Sequence, residues 1–221
     1  MLIEKSKNRT AKIIVGLIFS ILACFFIVLN SDYMQFLDST VIQLVQKNVT
    51  GFLNGFYTFI TSIASPKFDI FWILVTSFFL WGFKYKIPAL WALFTLGFGD
   101  IIGFVIKNAV KRTRPLAHLI SDDGYSFPSG HVLGIVLVCG ILWVMVLPLI
   151  KNHLINILLK IILVIFVCLV MLSRIYLNAH FPSDTLGALI IGYTWLQISE
   201  SLYPIISPKL AKLRIVRNTK Y

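Results

Sequence analysis

Six long runs of apolar residues constrain the fold of this chain more than any other feature of its sequence. Most have the length that an α-helix needs to cross the hydrocarbon core of a bilayer, about 17–25 residues. With 58% hydrophobic and only 13% charged residues, the 221-residue chain is too apolar for a water-soluble domain. We therefore expect an all-α integral membrane protein, with one domain over residues 1–221 that forms a six-transmembrane-helix bundle. The predicted spans cover about residues 13–30, 68–83, 87–107, 131–150, 155–173 and 183–203.

The segment 31–65, between the first two spans, has a different pattern. Leu37 and Val41 recur at helical spacing, and polar residues such as Asp38 lie opposite them. This pattern is typical of a helix that lies in the membrane interface. Residues 51–65 are apolar and aromatic but short and interrupted by glycine, so they are not counted as a span. The sequence therefore predicts an interfacial helical segment on the extracytoplasmic side, whose role it leaves open.

The basic residues are distributed unevenly along the chain. In a soluble protein a net charge of +11 would suggest a nucleic-acid partner, but in a membrane protein the positive-inside rule accounts for most of it. With both termini in the cytoplasm, thirteen of the twenty Lys and Arg side chains lie inside, whereas a further crossing by residues 51–65 would divide them evenly. We therefore predict no nucleic-acid partner, two cytoplasmic termini and a basic cytoplasmic tail over residues 207–221.

This topology places a basic loop, residues 107–114, on the outer side, where the rule does not explain it. Lys107 and Arg114 are seven residues apart, about two helical turns, so both can face one side. Arg114 precedes Pro115, which disfavours continuation of the helix. The alternative is that these side chains extend to lipid headgroups. A bound anion explains an outer basic cluster better.

A second polar cluster lies directly before the fourth span, where Pro128, Ser129, Gly130 and His131 follow one another. The start of a helix presents free N–H groups and the positive end of the helix dipole, which suit a phosphate group. The alternative is an ordinary N-cap in which Ser129 bonds to its own helix. His131 distinguishes the two interpretations, because a cap does not require a histidine there.

The third cluster lies between the fifth and sixth spans. Pro182 suits the first turn of a helix, and Asp184 follows His180 by one helical turn. A carboxylate at that spacing can accept one imidazole N–H and leave the other nitrogen free to attack. The alternative is a helix start with capping residues and an incidental histidine. Counting the crossings places Arg174, at the end of span five, on the same membrane face as His180.

Together, these clusters predict phosphoryl chemistry at one membrane face. The phosphate would be bound by three cations and by the helix start at Ser129 and Gly130, which would also stabilise the charge of its transition state. The three cations are Lys107, Arg114 and Arg174. One histidine would attack phosphorus, and the other would protonate the leaving oxygen. Asp122 and Asp123 form only a short acidic pair, which does not suit a Mg²⁺ site. We expect no metal and no other cofactor.

The three clusters, taken in order, resemble the three-part signature of the type 2 phosphatidic acid phosphatase (PAP2) superfamily. The matching residues are Lys107, Arg114, Pro115, Pro128, Ser129, Gly130, His131, Ser173, Arg174, His180 and Asp184. The resemblance implies that His180 is the nucleophile, Asp184 its orienting partner and His131 the general acid. The residues that it implies for phosphate binding are Lys107, Arg114, Ser129, Gly130 and Arg174.

The resemblance also implies an activity and a location. The chain is similar to the bacterial integral-membrane branch, which includes the phosphatidylglycerophosphate and undecaprenyl pyrophosphate phosphatases. That similarity implies a metal-independent lipid phosphatase of the bacterial cytoplasmic membrane, with an extracytoplasmic active site and a phosphohistidine intermediate. Phosphatidylglycerophosphate, undecaprenyl pyrophosphate and phosphatidic acid are the candidate substrates. Two alternatives stay open, a lipid-linked phosphotransferase of the same fold and a non-catalytic phosphate or lipid transporter, and the oligomeric state is also open.

Two further polar residues lie outside the three clusters. Asp100 lies within the third span, seven residues before Lys107, and is either a partner of the site or a hydrogen-bonding group inside the bundle. The second interpretation is favoured. His118 lies in the outer loop and is interpreted as incidental.

Overall fold

The structure is a computed structural model that describes residues 3, 7–116, 123–216 and 218–220. These residues form helices and connecting segments, and none of them lies in a strand. The α-helices are α1 (Arg9–Leu29), α2 (Asp32–Val45), α3 (Gly51–Ile63), α4 (Pro66–Gly82), α5 (Lys86–Val110), α6 (Gly130–Ile141), α7 (His153–Tyr176) and α8 (Pro182–Leu210). A π-helical turn (Leu142–Val146) and a 3₁₀ turn (Leu147–Leu149) continue α6, and a second 3₁₀ turn (Arg214–Val216) follows α8. His118 and Asp122 lie outside the described residues.

Four of these helices are long and apolar enough to cross a membrane: α1, α5, α6 with its continuation to Leu149, and α7. Helix α4 has only 17 residues, which is about 26 Å of helix, and is short for a bilayer. Helices α3 and α4 together are long enough for a fifth crossing, with a bend of 51° between them. The predicted second span, 68–83, therefore corresponds to α4, which reaches the length of a crossing only together with α3.

Helix α8 has 29 residues but is less apolar, because many of its side chains face the inside of the bundle rather than lipid. Its polar groups find partners there. The Ser199 and Thr95 hydroxyls lie 2.5 Å apart, and the Glu200 carboxylate accepts a hydrogen bond from Arg9 at 2.9 Å and another from Gln197 at 3.0 Å. Pairing allows a polar helix to occupy the centre of a membrane bundle. The chain is thus an all-helical membrane protein, and six crossings stay a prediction in which α8 is the sixth.

The close contacts of helix α6 give its direction relative to its neighbours. Leu137 packs against Gly99 of α5, and Leu133 packs against Gly103, so residue numbers rise along α5 as they fall along α6. The two helices are therefore antiparallel. The same register, continued by one turn, brings Lys107 to the level of the start of α6.

Helices α6 and α8, in contrast, run in the same direction. Val136 packs against Gly192 and Leu196 packs against Gly140, so residue numbers rise together along both helices. At their starts, the Ser129 N–H donates a hydrogen bond of 3.4 Å to the Asp184 carbonyl. The starts of α6 and α8 and the end of α5 therefore lie at one end of the bundle.

Helix α2 is amphipathic as predicted, but its polar side faces the protein. Asp38 is 2% exposed, whereas Leu37 is 40% and Leu44 is 68% exposed. This is the reverse of a surface helix on a water-soluble protein and is the arrangement expected of a helix that lies in a membrane interface, which stays a prediction for α2. The segment 31–65 forms two helices, α2 and α3, that pack against the end of α7. Gln46, for example, donates a hydrogen bond of 2.9 Å to the Tyr176 carbonyl.

The end of the chain packs against the turn between α4 and α5. The Thr219 hydroxyl accepts hydrogen bonds from the N–H groups of Lys86 at 3.0 Å and Ile87 at 3.3 Å, which cap the start of α5. Lys220 donates from its N–H to the Lys84 carbonyl at 2.7 Å. The start of α5 lies at the opposite end of the bundle from His180, so Thr219 and Lys220 do as well.

Candidate active site

The loop 177–181 joins α7 to α8 and carries His180. It turns back at once, because Asn178 adopts the left-handed backbone conformation (φ 55°) that asparagine tolerates well. The N–H groups of Ala179 and His180 both donate to the Arg174 carbonyl, at 3.0 and 3.1 Å. The backbone thus fixes His180 at the end of α7, immediately before α8 begins.

The two nitrogens of the His180 ring face different surroundings. Nδ1 lies 3.3 Å from the Ser126 hydroxyl and 3.6 Å from the Asp184 carboxylate. Nε2 lies 3.2 Å from the Arg114 guanidinium. A proton on Nδ1 would satisfy the first pair of groups and leave the lone pair of Nε2 on the cationic side. That side is where an anionic group would be held for attack.

Asp184 is completely buried in the first turn of α8, and its carboxylate has a partner for each oxygen. Oδ1 accepts a hydrogen bond of 2.6 Å from Arg112. Oδ2 accepts one from the Phe181 N–H at 2.9 Å and a short one from the Ser126 hydroxyl. A buried carboxylate needs such compensation, and removing one partner is strongly destabilising. The environment thus favours an ionised Asp184 held in a fixed orientation beside His180.

Arg114 connects the loop before α6 to the loop before α8. Its Nη1 donates to the Ala179 carbonyl at 2.7 Å, and its other nitrogens donate to the carbonyls of Asp123 and Gly124 at 2.9 and 3.1 Å. This geometry holds one edge of the guanidinium beside the imidazole of His180.

Arg174, in the last turn of α7, is 4% exposed. Its Nη1 donates a hydrogen bond of 2.8 Å to the Thr61 hydroxyl on α3. The segment 31–65 therefore contacts the site through α3. A cation in the last turn of a helix also interacts favourably with the helix dipole.

The start of α6 differs from an ordinary capped helix. Ser129 is the N-cap residue, but its side chain does not bond to its own helix. Its buried hydroxyl has no hydrogen-bond partner among the described residues. A methyl group placed on Gly130 would meet no atom within 4 Å, so the space beside this N-terminus is open. These features favour a ligand site over the alternative of a self-capping serine, and the half-buried His131 follows directly.

The structure brings together Arg114, His180 and Asp184 by direct contact, and it joins Arg174 and Ser129 to them through the backbone. Lys107 lies in the last turn of α5, at the same end of the bundle by helix register. The sequence interpretation missed three residues of this cluster: Arg112, Ser126 and Asp38. Arg112 was visible only as one of several basic residues, and Asp38 only as an acid in an amphipathic segment. Nothing in the sequence marks Ser126.

Asp100 does not contact this cluster through any hydrogen bond between described residues. It lies close enough to Asp69 on α4 for the two carboxyl groups to interact electrostatically. Asp69 is 1% exposed, and its carboxylate packs against Gly134 of α6. Asp100 thus lies inside the bundle, but no hydrogen bond of its carboxyl group is found in the part of the chain that the structure describes.

We expect His180 to stay neutral well below its ordinary titration range. Burial lowers the pKa of His180 from 6.5 to about 4; Asp184 opposes this shift, and the charges of Arg174 and Arg114 add to it. Between about pH 6.5 and 4 the unfolded chain would bind a proton that the folded chain does not. The stability that this group contributes is therefore complete above about pH 6.5 and is lost as the pH falls towards 4.

The measurement is an NMR titration of histidine-labelled protein in detergent, in which the His180→Gln variant identifies the His180 signal. A midpoint near pH 4 is expected. A midpoint at or above 6.5 would show that the ring is not buried among these groups as described.

We expect Gly187→Ala to lower activity although Gly187 makes no polar contact with the site. An added methyl group would overlap the ring of Phe127, which is completely buried between Ser126 and the start of α6. Overpacking of this kind costs roughly 1–3 kcal/mol, and displacement of a reacting group by 1 Å can cost about 10²-fold in rate. We expect kcat to fall about 10-fold or more. Gly97→Ala on α5, where a methyl group meets nothing within 4 Å, is the matched control.

Comparison with known proteins places this geometry in a family. The sequence profile of the PAP2 superfamily matches residues 88–204, which is more than half of the chain. Phosphatidylglycerophosphatase B of Bacillus subtilis (strain 168) is 29% identical over 144 residues, which cover 63% of this chain and 70% of that protein.

Solved structures agree with this assignment. The crystal structure of a transmembrane PAP2-type phosphatidylglycerolphosphate phosphatase from Bacillus subtilis has a TM-score of 0.78 at 25% identity, covering 92% of this chain and 99% of that one. The crystal structure of Aquifex aeolicus LpxE has a TM-score of 0.58 at 21% identity, covering 74% of this chain and 94% of that one, and shows a shared fold. The resemblance found in the sequence is thus confirmed, and the chain belongs to the PAP2 superfamily.

Proposed function

We propose that this protein is a metal-independent lipid phosphate phosphatase that acts at the outer leaflet of a bacterial cytoplasmic membrane. The observation that carries the proposal is the arrangement of the His180 ring. One ring nitrogen faces a buried carboxylate, and the other lies 3.2 Å from a guanidinium. An imidazole oriented in this way is suited to attack an anionic phosphorus centre that the cation holds in place.

The proposed reaction has two steps. The headgroup phosphate is bound by Lys107, Arg114 and Arg174 and by the N–H groups at the start of α6. His180 Nε2 forms a bond to phosphorus as the bond from phosphorus to the leaving oxygen breaks, and His131 donates a proton to that oxygen. Water, losing a proton to His131, then attacks phosphorus and breaks the P–N bond. Inorganic phosphate and neutral His180 result.

Asp184 and Ser126 support both steps without contacting the substrate. The carboxylate keeps the proton of His180 on Nδ1 and stabilises the positive charge that the ring develops during attack. The Ser126 hydroxyl donates to that carboxylate and lies 3.3 Å from Nδ1, so it helps to fix the ring orientation.

Among lipid phosphates, phosphatidylglycerophosphate is the substrate that we favour. The support is the similarity to a Bacillus subtilis sequence and to a Bacillus subtilis crystal structure whose names state this activity, and the crystal structure shares the fold over 92% of this chain. Undecaprenyl pyrophosphate and phosphatidic acid offer the same terminal phosphate chemistry and are the competing substrates.

A panel assay tests the proposal. Purified protein in detergent is supplied separately with phosphatidylglycerophosphate, phosphatidic acid and undecaprenyl pyrophosphate, and phosphate release is measured with and without EDTA. We expect release that EDTA does not reduce, with the highest kcat/KM for phosphatidylglycerophosphate. No release from any of the three would overturn the phosphatase proposal, and transfer of labelled phosphate to a second lipid would favour a phosphotransferase.

The proposed orientation places both termini in the cytoplasm and the His180 end outside. It is supported by Arg9, which bonds to Glu200 in the second half of α8, and by Lys220 of the basic tail; both lie towards the end of the bundle opposite His180. Single cysteines at Asp123 and at Asn218, in a variant without the native cysteines, test it by labelling of intact cells with an impermeant maleimide. Labelling at position 123 alone is expected, and labelling at position 218 alone would reverse the orientation.

A further inference from the structure

We propose that Asp38 and Arg112 are positioning residues for the reaction at His180, so that the interfacial helix α2 forms part of the catalytic apparatus. The proposal rests on the function proposed above. It also gives a role to the segment 31–65, which the sequence leaves open. Arg112 lies within the basic loop 107–114, but neither residue is among the positions that match the family signature.

Arg112 joins two carboxylates that lie far apart in the sequence. Its Nη1 donates to Asp184 Oδ1 at 2.6 Å, and its Nη2 donates to Asp38 Oδ2 at 2.7 Å. Its guanidinium also lies 4.1 Å from the centre of the Phe181 ring. A planar guanidinium with two carboxylate partners and an aromatic ring against its face has little freedom to move. Asp184 is therefore held from its Oδ1 side, while its Oδ2 faces His180.

Asp38 binds the start of α8 in addition to binding Arg112. Its Oδ1 accepts a hydrogen bond of 3.0 Å from the Ser183 N–H, and its Oδ2 accepts one of 2.6 Å from the Ser183 hydroxyl. Arg112 donates to the same hydroxyl at 2.7 Å. A carboxylate that binds the free N–H groups of a helix start acts as a cap supplied from another element. Helix α2 thus fixes the turn of α8 that carries Asp184.

Arg112 and Arg114 have different roles in the proposed site. The segment 111–115 is not helical, and in extended chain residues two apart face the same side. Both side chains accordingly reach the loop and helix start at residues 179–184. Arg114 lies beside Nε2, where the substrate would bind, whereas the Arg112 side chain is only 9% exposed and bonds to carboxylates. Substitution of Arg112 should therefore lower kcat and leave KM nearly unchanged.

The charges of Arg112 and Asp38 should affect the pKa of His180, which a purely structural role of the two residues would not require. The groups that face the His180–Asp184 pair are Arg112, Ser126, Arg114 and Arg174, and Asp38 lies behind Arg112. Removing the positive charge of Arg112 should make protonation of His180 easier, and removing the negative charge of Asp38 should make it harder. Arg112→Gln and Asp38→Asn should therefore shift the pKa of His180 in opposite directions.

The test combines kinetics with the His180 titration on four purified full-length variants. For Arg112→Gln and Asp38→Asn we expect kcat to fall about 10- to 100-fold with KM within about 2-fold of wild type, the size expected for a misplaced reacting group. Arg112→Lys keeps the positive charge but loses the planar guanidinium that donates to both carboxylates. Its kcat should therefore lie between those of Arg112→Gln and the wild type. In the double variant Asp38→Asn/Arg112→Gln the losses should be less than additive, because both act through Asp184.

Matched controls are Lys111→Gln, an exposed neighbour of Arg112, and Asp32→Asn, an exposed acid on the same helix as Asp38. Both should keep wild-type kcat. Unchanged kcat in Arg112→Gln and Asp38→Asn, a loss confined to KM, or shifts of the His180 pKa in the same direction would overturn the proposal. The titration needs no substrate, so a wild-type protein that releases no phosphate would refute the proposed function while the two pKa shifts still decide this inference.

Discussion

His180→Gln abolishes phosphate release: we expect a loss of at least about 10³-fold in kcat, which is the range found when a covalent nucleophile is removed. Glutamine fills similar space and can donate to the same carboxylate, but it has no nitrogen that can attack phosphorus. The cationic groups would remain, so substrate binding should change far less than turnover.

The control is His153→Gln, the same substitution at an exposed position at the start of α7, at the opposite end of that helix from Arg174. It should keep wild-type activity. Size-exclusion profiles and thermal stability in detergent show whether each variant is folded. A folded His180→Gln protein that retains more than about a tenth of wild-type kcat would remove His180 from the role of nucleophile.

Asp184→Asn should have the second-largest effect, about 10²- to 10⁴-fold in kcat. In catalytic triads the equivalent exchange leaves geometry intact but favours the wrong tautomer of histidine, and costs about 10⁴-fold. Here the amide would also leave Arg112 without one of its two carboxylates. The loss should appear in kcat, because Asp184 is completely buried and does not reach the substrate.

Asp32→Asn provides the comparison, since it removes one carboxylate charge from an exposed site near the same face. If Asp184→Asn folds normally and differs from wild type by less than about 5-fold, then the carboxylate neither orients His180 nor stabilises its charge. An equal loss in both variants would instead indicate a general effect of net charge on the membrane-bound protein.

The sequence predicted the helices well because lipid imposes a strong constraint on them. The third predicted span, 87–107, is found as α5, and the fifth, 155–173, as α7. The sixth, 183–203, lies within α8. Helix α8 continues to Leu210 through Pro204 and Pro208, because the bundle around it maintains the helix where proline alone would predict an end.

The residues of the candidate site were also predictable, because only a few residue types suit this chemistry and their spacing places them at helix ends. The groups that hold them were not. Asp38 and Arg112 are separated by 74 residues, and a salt bridge of that kind leaves no local pattern in either segment. The amphipathic pattern of α2 gave the helix correctly but could not show that its polar side faces the protein, because periodicity is the same for either direction.

The most direct test of the account is to trap the covalent intermediate. Protein is mixed for milliseconds with phosphatidylglycerophosphate that carries ³²P in its terminal phosphate, quenched in alkali and digested, and the labelled peptide is sequenced. We predict a label on His180 that is stable to alkali and labile to acid, and that is absent from His180→Gln. With a slowly reacting substrate that has a good leaving group, this label should be more abundant in His131→Ala. Label on His131, or rapid phosphate release with no labelled histidine at any mixing time, would contradict the account.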